Sequence, residues 1–264
     1  MEKNTVLSLG NQTVRIDAGE LVGYRVSAYE FMHQKGSPGW GSSDTEMFPI
    51  IGPTDKANFR VLTPMGEAIQ DQHGLLREMQ YEVTQQTETK VVFTKRYKAN
   101  SAVHNSKFPQ KSSEETLSWR YDFEFTKTFQ LIDNGLEIIF GIAGKIGMPY
   151  MLGYHPAFSL HTANATINTD AKSISIAEVL AVGSRALHVP NCRKMVLSDK
   201  QALEITTKGF SSFMLWTEVS NMVCIEPITF YPYAVAQENL HKGFTTLDGN
   251  SKEYTVFLKP CKTK

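Results

Sequence analysis

The chain has few cysteines, no excess of either charge and no long apolar run. Each of these absences argues against a class of site, partner or location. Its three cysteines are odd in number and widely spaced, so the sequence predicts neither a disulfide framework nor a zinc site. Lysine and arginine total 27, as do aspartate and glutamate, which gives a formal net charge of zero. Because a neutral chain does not attract nucleic acid or anionic lipid, a sugar or another small neutral molecule is the better-suited partner.

Signals for export, membrane insertion and cofactor binding are also missing. The N-terminal residues Met1–Val6 lack the apolar segment of a signal peptide, and no stretch approaches the length that spans a bilayer. The cytoplasm is therefore the expected location. No P-loop, dinucleotide fingerprint, nucleophile elbow or HExxH pattern occurs, so no metal and no cofactor is predicted.

What is present is a strong β pattern. Apolar and polar residues alternate from Trp119 to Leu131, with only Lys127 interrupting the apolar positions, which predicts a long strand with one buried face. Asn134-Gly135 then predicts a hairpin turn that needs positive φ, and the return strand covers Leu136 to Ile142.

Similar runs recur along the chain and predict an all-β, mostly antiparallel sandwich or barrel. The further predicted strands are 91–97, 210–216, 222–226 and 254–259, with 13–17 and 21–29 as another pair. Residues 33–45 and 100–116 are predicted to be exposed loops, and 71–83 fits a short helix by period alone. Hydrophobic residues make up 41% of the chain and no repeat or break in composition occurs, so 1–264 is predicted to be one domain. The expected assembly is a monomer or a homodimer.

Glu226 is the most informative residue. It ends an apolar strand and shares a face with Met222 and Cys224, because side chains alternate along an extended chain. A carboxylate on that face loses hydration, which raises its pKa towards the range of a general base at neutral pH. The competing interpretation is that Glu226 lies where the strand meets solvent.

Histidine supplies the second candidate. His155 precedes a proline, which biases its backbone away from the helical region, and Phe158 is predicted to provide an apolar wall beside it. Trp216 and Tyr154 could stack on a sugar ring or belong to the core. Other polar residues are predicted to be exposed: His33, His104, His161, Asp44, Glu46, Asp71 and Glu78.

Four segments, taken in order, resemble motifs of the aldose 1-epimerase (galactose mutarotase-like) family. Met47-Phe-Pro-Ile-Ile-Gly52 is similar to its FPxxG segment, and His73-Gly-Leu-Leu-Arg77 to its HGxxR segment. Gly153-Tyr-His-Pro-Ala-Phe158 resembles its GxHPxF motif, and Cys224-Ile-Glu-Pro227 its CxEP motif. The resemblance implies a single β-supersandwich, with residues 75–83 forming a loop and then a strand.

The resemblance also implies a function, the interconversion of the α and β anomers of a free aldose. It makes Glu226 the general base that deprotonates the C1 hydroxyl and His155 the general acid that protonates the ring oxygen. His73 would bind the sugar near its ring oxygen, Arg77 would bind a hydroxyl or support the site, and Trp216 is a further substrate-binding candidate.

The chain departs from the family pattern in two places. Pro53 stands where many relatives carry a sugar-binding arginine, and no residue matches the aspartate that galactose mutarotases place between the HPxF and EP motifs, although Asp199 lies in that interval. Three alternatives therefore stay open. These are a hexose 6-phosphate mutarotase, a sugar-binding or regulatory protein without turnover, and a glycoside hydrolase or lyase. The last is the weakest, because hydrolysis generally uses two carboxylates and the sequence offers only one convincing candidate.

Overall fold

The computed structural model describes residues 4–261, and most of the regular structure in that range is β-strand. The strands in chain order are β1 (Asn4–Leu9), β2 (Gln12–Asp17), β3 (Glu20–Val26), β4 (Tyr29–Glu30), β5 (Asp44–Met47), β6 (Arg60–Thr63), β7 (Gly66–Ile69), β8 (Glu82–Gln86), β9 (Lys90–Tyr97), β10 (Val103–His104), β11 (Thr116–Leu117), β12 (Phe123–Ile132), β13 (Gly135–Gly144), β14 (Pro149–Tyr150), β15 (Gly153–Ser159), β16 (Thr166–Asn168), β17 (Ser173–Ser175), β18 (Leu187–Val189), β19 (Lys194–Ser198), β20 (Ala202–Lys208), β21 (Ser212–Trp216), β22 (Met222–Ile228), β23 (Thr245–Thr246) and β24 (Ser251–Cys261).

The helices of the described range are short. They are α1 (Ile176–Val182) and the 3-10 helices Asp55–Ala57, Leu76–Glu78, Gly183–Arg185, Pro232–Ala234 and Gln237–Gly243. Within residues 4–261, none of them is long and apolar enough to cross a membrane. Residues 1–3, which belong to the segment used to predict the absence of a signal peptide, lie outside the described range.

Two large antiparallel sheets organise the fold. One has nine strands in the order β17-β16-β19-β20-β24-β13-β12-β9-β8, and the other has five in the order β18-β21-β22-β15-β5. Strands β1 to β4 form a smaller sheet, and β6-β7, β10-β11 and β14-β23 are two-stranded. The inner faces of the two large sheets share one hydrophobic core, in which Phe140 of β13 packs against Tyr154 of β15 with ring centroids 5.0 Å apart.

The β12–β13 hairpin confirms the predicted alternation but corrects its ends. Burial alternates along β12, which begins at Phe123 rather than Trp119, because the Trp119 backbone bonds to Asn100 and to the Tyr97 hydroxyl instead of to a strand. The turn consists of residues 133 and 134, and Gly135 pairs within the ladder without positive φ. A Cβ on Gly135 would overlap a carbonyl oxygen of β24, so close packing is the reason for this glycine.

Lys127, the residue that interrupts the apolar face of β12, joins the two sheets. Its fully buried ammonium lies 2.8 Å from Asp44 Oδ2 and 2.5 Å from Glu46 Oε1, both on β5, and the Tyr154 hydroxyl also donates to Asp44 at 2.7 Å. The predicted exposure of Asp44 and Glu46 is therefore wrong, because a lysine about 80 positions away in sequence balances their charge inside the core.

The segment 100–116 also differs in part from its prediction. Most of its residues are exposed, as predicted, but it contains β10 and the first residue of β11, and Asn105 is fully buried and donates to Asp71 at 3.2 Å. Lys107 pairs with the same carboxylate at 2.8 Å. Asp71 is thus buried and not on the surface, whereas Glu78 is partly exposed and accepts a hydrogen bond from Ser106.

The helical interpretation of 71–83 is wrong. These residues form a loop with a single 3-10 turn, Leu76–Glu78, and then enter β8, as the family resemblance implies. The predicted pair of N-terminal strands is confirmed by the antiparallel ladder of β2 and β3.

Candidate active site

Glu226 and His155 face each other on adjacent strands of the five-stranded sheet. In the ladder of β15 and β22, Gly153 pairs with Ile228 and Ala157 with Cys224, so the same register places His155 opposite Glu226. Directly opposed residues in an antiparallel pair point to the same side of the sheet. His155 Nε2 and Glu226 Oε1 lie 3.4 Å apart, with side-chain exposures of 7% and 2%.

Burial sets the protonation of this pair. It raises the pKa of Glu226 to about 8, against the opposing effect of the Arg77 charge. Burial, assisted by the same positive charge, lowers the pKa of His155 to about 3. Near neutral pH the pair therefore holds one proton, on the carboxyl group, and the imidazole is neutral. This confirms the predicted rise in the pKa of Glu226 and contradicts the interpretation that it lies in solvent.

Aromatic rings surround His155 on the cavity side. The ring of Trp40 lies 4.2 Å away at an interplanar angle of 33°, His73 at 5.6 Å and 82°, and Trp216 at 6.0 Å and 66°. The predicted wall from Phe158 is wrong, because an odd offset along β15 points that side chain to the other face, where it is fully buried in the core.

Trp40 is the functional candidate that sequence reasoning missed. It belongs to the loop of residues 33–43. Within this loop the backbone carbonyl of Trp40 lies 2.8 Å from Nε2 of His33. His33 is accordingly buried and not exposed as predicted. Asn221 donates to the carbonyl of Pro38 at 2.9 Å, which ties the loop to β22. A tryptophan in a loop rich in glycine and serine is the only hint in the sequence.

A cavity of about 390 Å³ opens above the His155–Glu226 pair. That volume lies in the range of small-molecule sites, about 300–1,000 Å³. The side chains that line it come from nine separate segments: Trp40, Ile51, Gln72, His73, Lys111, His155, Ser184, Arg185, Ala186, Met214, Trp216, Glu218, Glu226, Pro232 and Tyr233. Of the predicted substrate-binding residues, His73 and Trp216 line this cavity. Tyr154 does not, because it is fully buried between the sheets.

His73 reaches the cavity through an unusual backbone. Both His73 and Gly74 have positive φ, 76° and 73°, and the Phe48 amide donates to the carbonyl of His73 at 3.2 Å. A Cβ on Gly74 would overlap the carbonyl oxygen of Phe48, so the glycine permits this approach. Burial holds the pKa of His73 well below its usual value, with Arg77 adding to the effect. A neutral imidazole can accept or donate one hydrogen bond to a sugar.

Arg77 lies behind the pair and not in the cavity wall. Its guanidinium donates to Thr45 Oγ1 at 2.7 Å, and it lines a different cavity, of about 330 Å³. Thr45 is opposite His155 in the β5–β15 ladder, and β5 is the edge strand of this sheet. Arg77 therefore reaches the His155–Glu226 pair from the edge of the sheet. Its position suits the supporting role rather than direct contact with a hydroxyl.

Asp199, which lies in the interval of the missing aspartate, does not compensate for that departure from the family pattern. Asp199 accepts hydrogen bonds from the backbone of His161 and the hydroxyl of Thr162, and it does not line the cavity. Basic groups reach the cavity from elsewhere: Lys111 comes from the 100–116 segment, and Arg185 lies over the ring of Tyr233 at 5.1 Å.

Comparison with known proteins shows the family and the fold of the chain. The sequence profile of the Aldose 1-epimerase family matches residues 61–204, more than half of the chain. This protein belongs to the aldose 1-epimerase family. No curated protein matches the chain.

Solved structures show the same fold at low sequence identity. A galactose mutarotase related enzyme from Lactobacillus acidophilus aligns with a TM-score of 0.80 and 19% identity, covering 99% of this chain and 98% of its own. A galactose mutarotase-like protein from Lactobacillus casei gives 0.77 and 16%, covering 98% of this chain and 100% of its own. One from Clostridium acetobutylicum gives 0.72 and 13%, covering 99% and 96%. The predicted galactose mutarotase-like β-supersandwich is confirmed.

Proposed function

We propose that this protein is a mutarotase that interconverts the α and β anomers of an aldohexose or a close derivative. The observation that carries the proposal is the opposed pair of His155 and Glu226 at 3.4 Å on the floor of a cavity of small-molecule size. Membership of the aldose 1-epimerase family supports an activity of this kind. A cytoplasmic location and a monomeric or homodimeric state remain predictions from the sequence.

Mutarotation needs one proton to leave the C1 hydroxyl and one to reach the ring oxygen. In the proposed reaction one member of the pair takes the C1 hydroxyl proton while the other protonates the ring oxygen, which breaks the C1–O bond of the ring and leaves an aldehyde. The C1–C2 bond rotates, and the reverse transfers close the ring on the other carbonyl face. Each positioned transfer contributes roughly 10²–10⁴-fold to the rate.

The protonation state of the pair suits this exchange. One base and one acid share a single proton in total, which is the state below the Glu226 pKa of about 8. The proton rests on Glu226, so the reaction can begin in two ways. Either the proton first moves to His155, which then acts as the acid, or Glu226 acts as the acid and His155 as the base. Because the second half of the reaction reverses the first, both groups serve in both roles within one turnover.

Two-dimensional exchange NMR on a panel of aldoses tests the proposal. Anomer exchange above the buffer rate in the wild-type protein, lost in both Glu226→Gln and His155→Asn, is the expected result. Exchange at the buffer rate for every sugar, with saturable binding, would instead indicate a sugar-binding protein on the same fold.

A substrate with an anionic group is the second candidate, supported by Lys111 and Arg185. Both line the cavity, and within the described part of the chain neither forms an ion pair. Lys111 and Arg185 together outweigh the single acidic group at the mouth, Glu218. A preference for hexose 6-phosphates that falls with added salt, and that is lost in Lys111→Gln and Arg185→Gln, would favour this candidate. Unchanged preference in both variants would exclude it.

A further inference from the structure

We propose that His155, Cys224 and Glu226 form a binding site for a soft divalent metal ion such as Zn²⁺, which would exclude a sugar from the same position. The three side chains each place a ligand atom within 4.8 Å of the other two, and all three are buried. The spacing of the cysteines along the chain predicted no zinc site, because these three donors meet only in the folded sheet. The proposal concerns binding and does not depend on turnover.

The sheet register explains why the donors meet. Cys224 and Glu226 are two positions apart on β22, so they point to the same side, and His155 faces Glu226 from β15. The thiol has 0% exposure and packs against Ala157 and Met222, with Trp40 and Trp216 around them. The thiol and the pair therefore lie together on one face of the sheet, below the cavity.

The geometry is close to that of a zinc site. Tetrahedral Zn²⁺ with bonds of about 2.0–2.2 Å to nitrogen and oxygen separates those two ligand atoms by about 3.4 Å. His155 Nε2 and Glu226 Oε1 are 3.4 Å apart. The thiol needs only a side-chain movement of the order of 1 Å, since tetrahedral Zn²⁺ places sulfur about 3.6 Å from the other ligands. The fourth position would face the cavity, where water can bind.

The chemistry of the donors selects the metal. Sulfur and imidazole favour Zn²⁺ over Mg²⁺ and Ca²⁺, which prefer oxygen ligands. Thiolate, carboxylate and Zn²⁺ together have no net charge, which suits a buried position. One of the proposed ligand atoms, Glu226 Oε1, has no hydrogen-bond partner within the described residues. The nearby guanidinium of Arg77 opposes metal binding, so we expect a moderate affinity.

The test is a titration of the full chain with Cd²⁺, followed by the ultraviolet charge-transfer absorption of a cadmium–thiolate bond. The other free cysteines, Cys192 and Cys261, are partly exposed and provide the matched control. We expect one equivalent to produce the band, the band to persist in the double variant Cys192→Ala/Cys261→Ala, and Cys224→Ala to abolish it. A band that persists in Cys224→Ala, or none in the wild-type protein, would overturn the proposal.

Calorimetry with Zn²⁺ gives the second measurement. Changes outside the ligand shell cost about 10–100-fold in metal affinity, so loss of a ligand in Glu226→Gln or His155→Asn should cost at least about tenfold. Cys224→Ser, which keeps the volume of the side chain, guards against misfolding of the alanine variant, and circular dichroism checks each protein. Equal Zn²⁺ affinity in the wild-type protein and all four variants would contradict the site. Mutarotase activity is not used, so the two proposals fail independently.

Discussion

Replacement of Lys127 by methionine tests the buried ion cluster that joins the two sheets. The substitution keeps much of the side-chain volume but removes a charge with 0% exposure that lies 2.8 Å from Asp44 and 2.5 Å from Glu46. Two carboxylates then share a dry interior without a counter-ion. Breaking a buried ion pair in this way costs about 3–5 kcal/mol of the free energy of unfolding.

Urea denaturation followed by tryptophan fluorescence measures this loss. The matched control is Lys252→Met, because Lys252 pairs with Asp248 at 3.2 Å with side-chain exposures of 42% and 70%. Water screens that pair, so its loss should change the denaturation midpoint little. Equal effects of the two substitutions would refute the argument, since they would mean that the Lys127 cluster is hydrated.

The pH dependence of the Lys127→Met effect is a further check. Burial acts to raise the pKa of Glu46, but Lys127 and Lys95 bring it below its usual value. In the wild-type protein Glu46 therefore contributes stability above its unfolded pKa of about 4.3, and this contribution is lost as pH falls. The difference between the wild-type protein and Lys127→Met should shrink below about pH 4. A difference that grows at low pH would contradict this assignment.

Three further predictions concern the site and its supports. Since the pair must hold one proton, kcat/KM for anomer exchange should be level from about pH 5 to 7 and fall about tenfold per unit above pH 8, as Glu226 ionises; a fall towards acid pH instead would contradict the shared-proton account. Trp40→Ala should lower kcat about 2–10-fold, because an aromatic contact at 4.2 Å contributes about 0.5–1.5 kcal/mol to the orientation of His155; an unchanged kcat would exclude that role. Gly74→Ala should lower the free energy of unfolding by at least about 1 kcal/mol more than Gly147→Ala, since both have positive φ but nothing lies within 4 Å of a Cβ on Gly147; equal losses in urea denaturation would contradict the close approach to Phe48.

The local sequence pattern predicted the strands well, because the alternation of apolar and polar residues along a strand reflects which of its faces is buried. The alternation of residues 119–131 predicted β12, and its one exception, Lys127, is the residue that forms the buried ion cluster. The pattern could not predict where the charge of Lys127 is balanced, because Asp44 and Glu46 lie in another sheet. Their burial was missed for that reason. The burial of His33 was missed for a different one, because its ring contacts the carbonyl of Trp40 within a loop that has no periodic pattern.

In the candidate site, too, the sequence predicted the properties of single residues but not the distances between them. The apolar face of β22 predicted the raised pKa of Glu226, and the family resemblance identified His155 as its companion. Their separation of 3.4 Å depends on the register of β15 against β22, which two segments about 70 residues apart establish only in the folded protein. The position of Arg77 behind the pair, bonded to Thr45, likewise follows from the packing of β5 and not from the HGxxR pattern.

A comparison of two glutamates of the same cavity tests most directly whether Glu226 transfers a proton. Glu226 is 2% exposed beside His155, whereas the side chain of Glu218 is exposed at the mouth. Anomer exchange is measured by NMR for the wild-type protein, Glu226→Gln and Glu218→Gln with the sugar that exchanges fastest. We expect Glu226→Gln to lose at least about 100-fold in rate, the lower limit for a positioned proton transfer, while Glu218→Gln exchanges within about threefold of the wild-type protein. Undiminished exchange in Glu226→Gln would contradict proton transfer by Glu226.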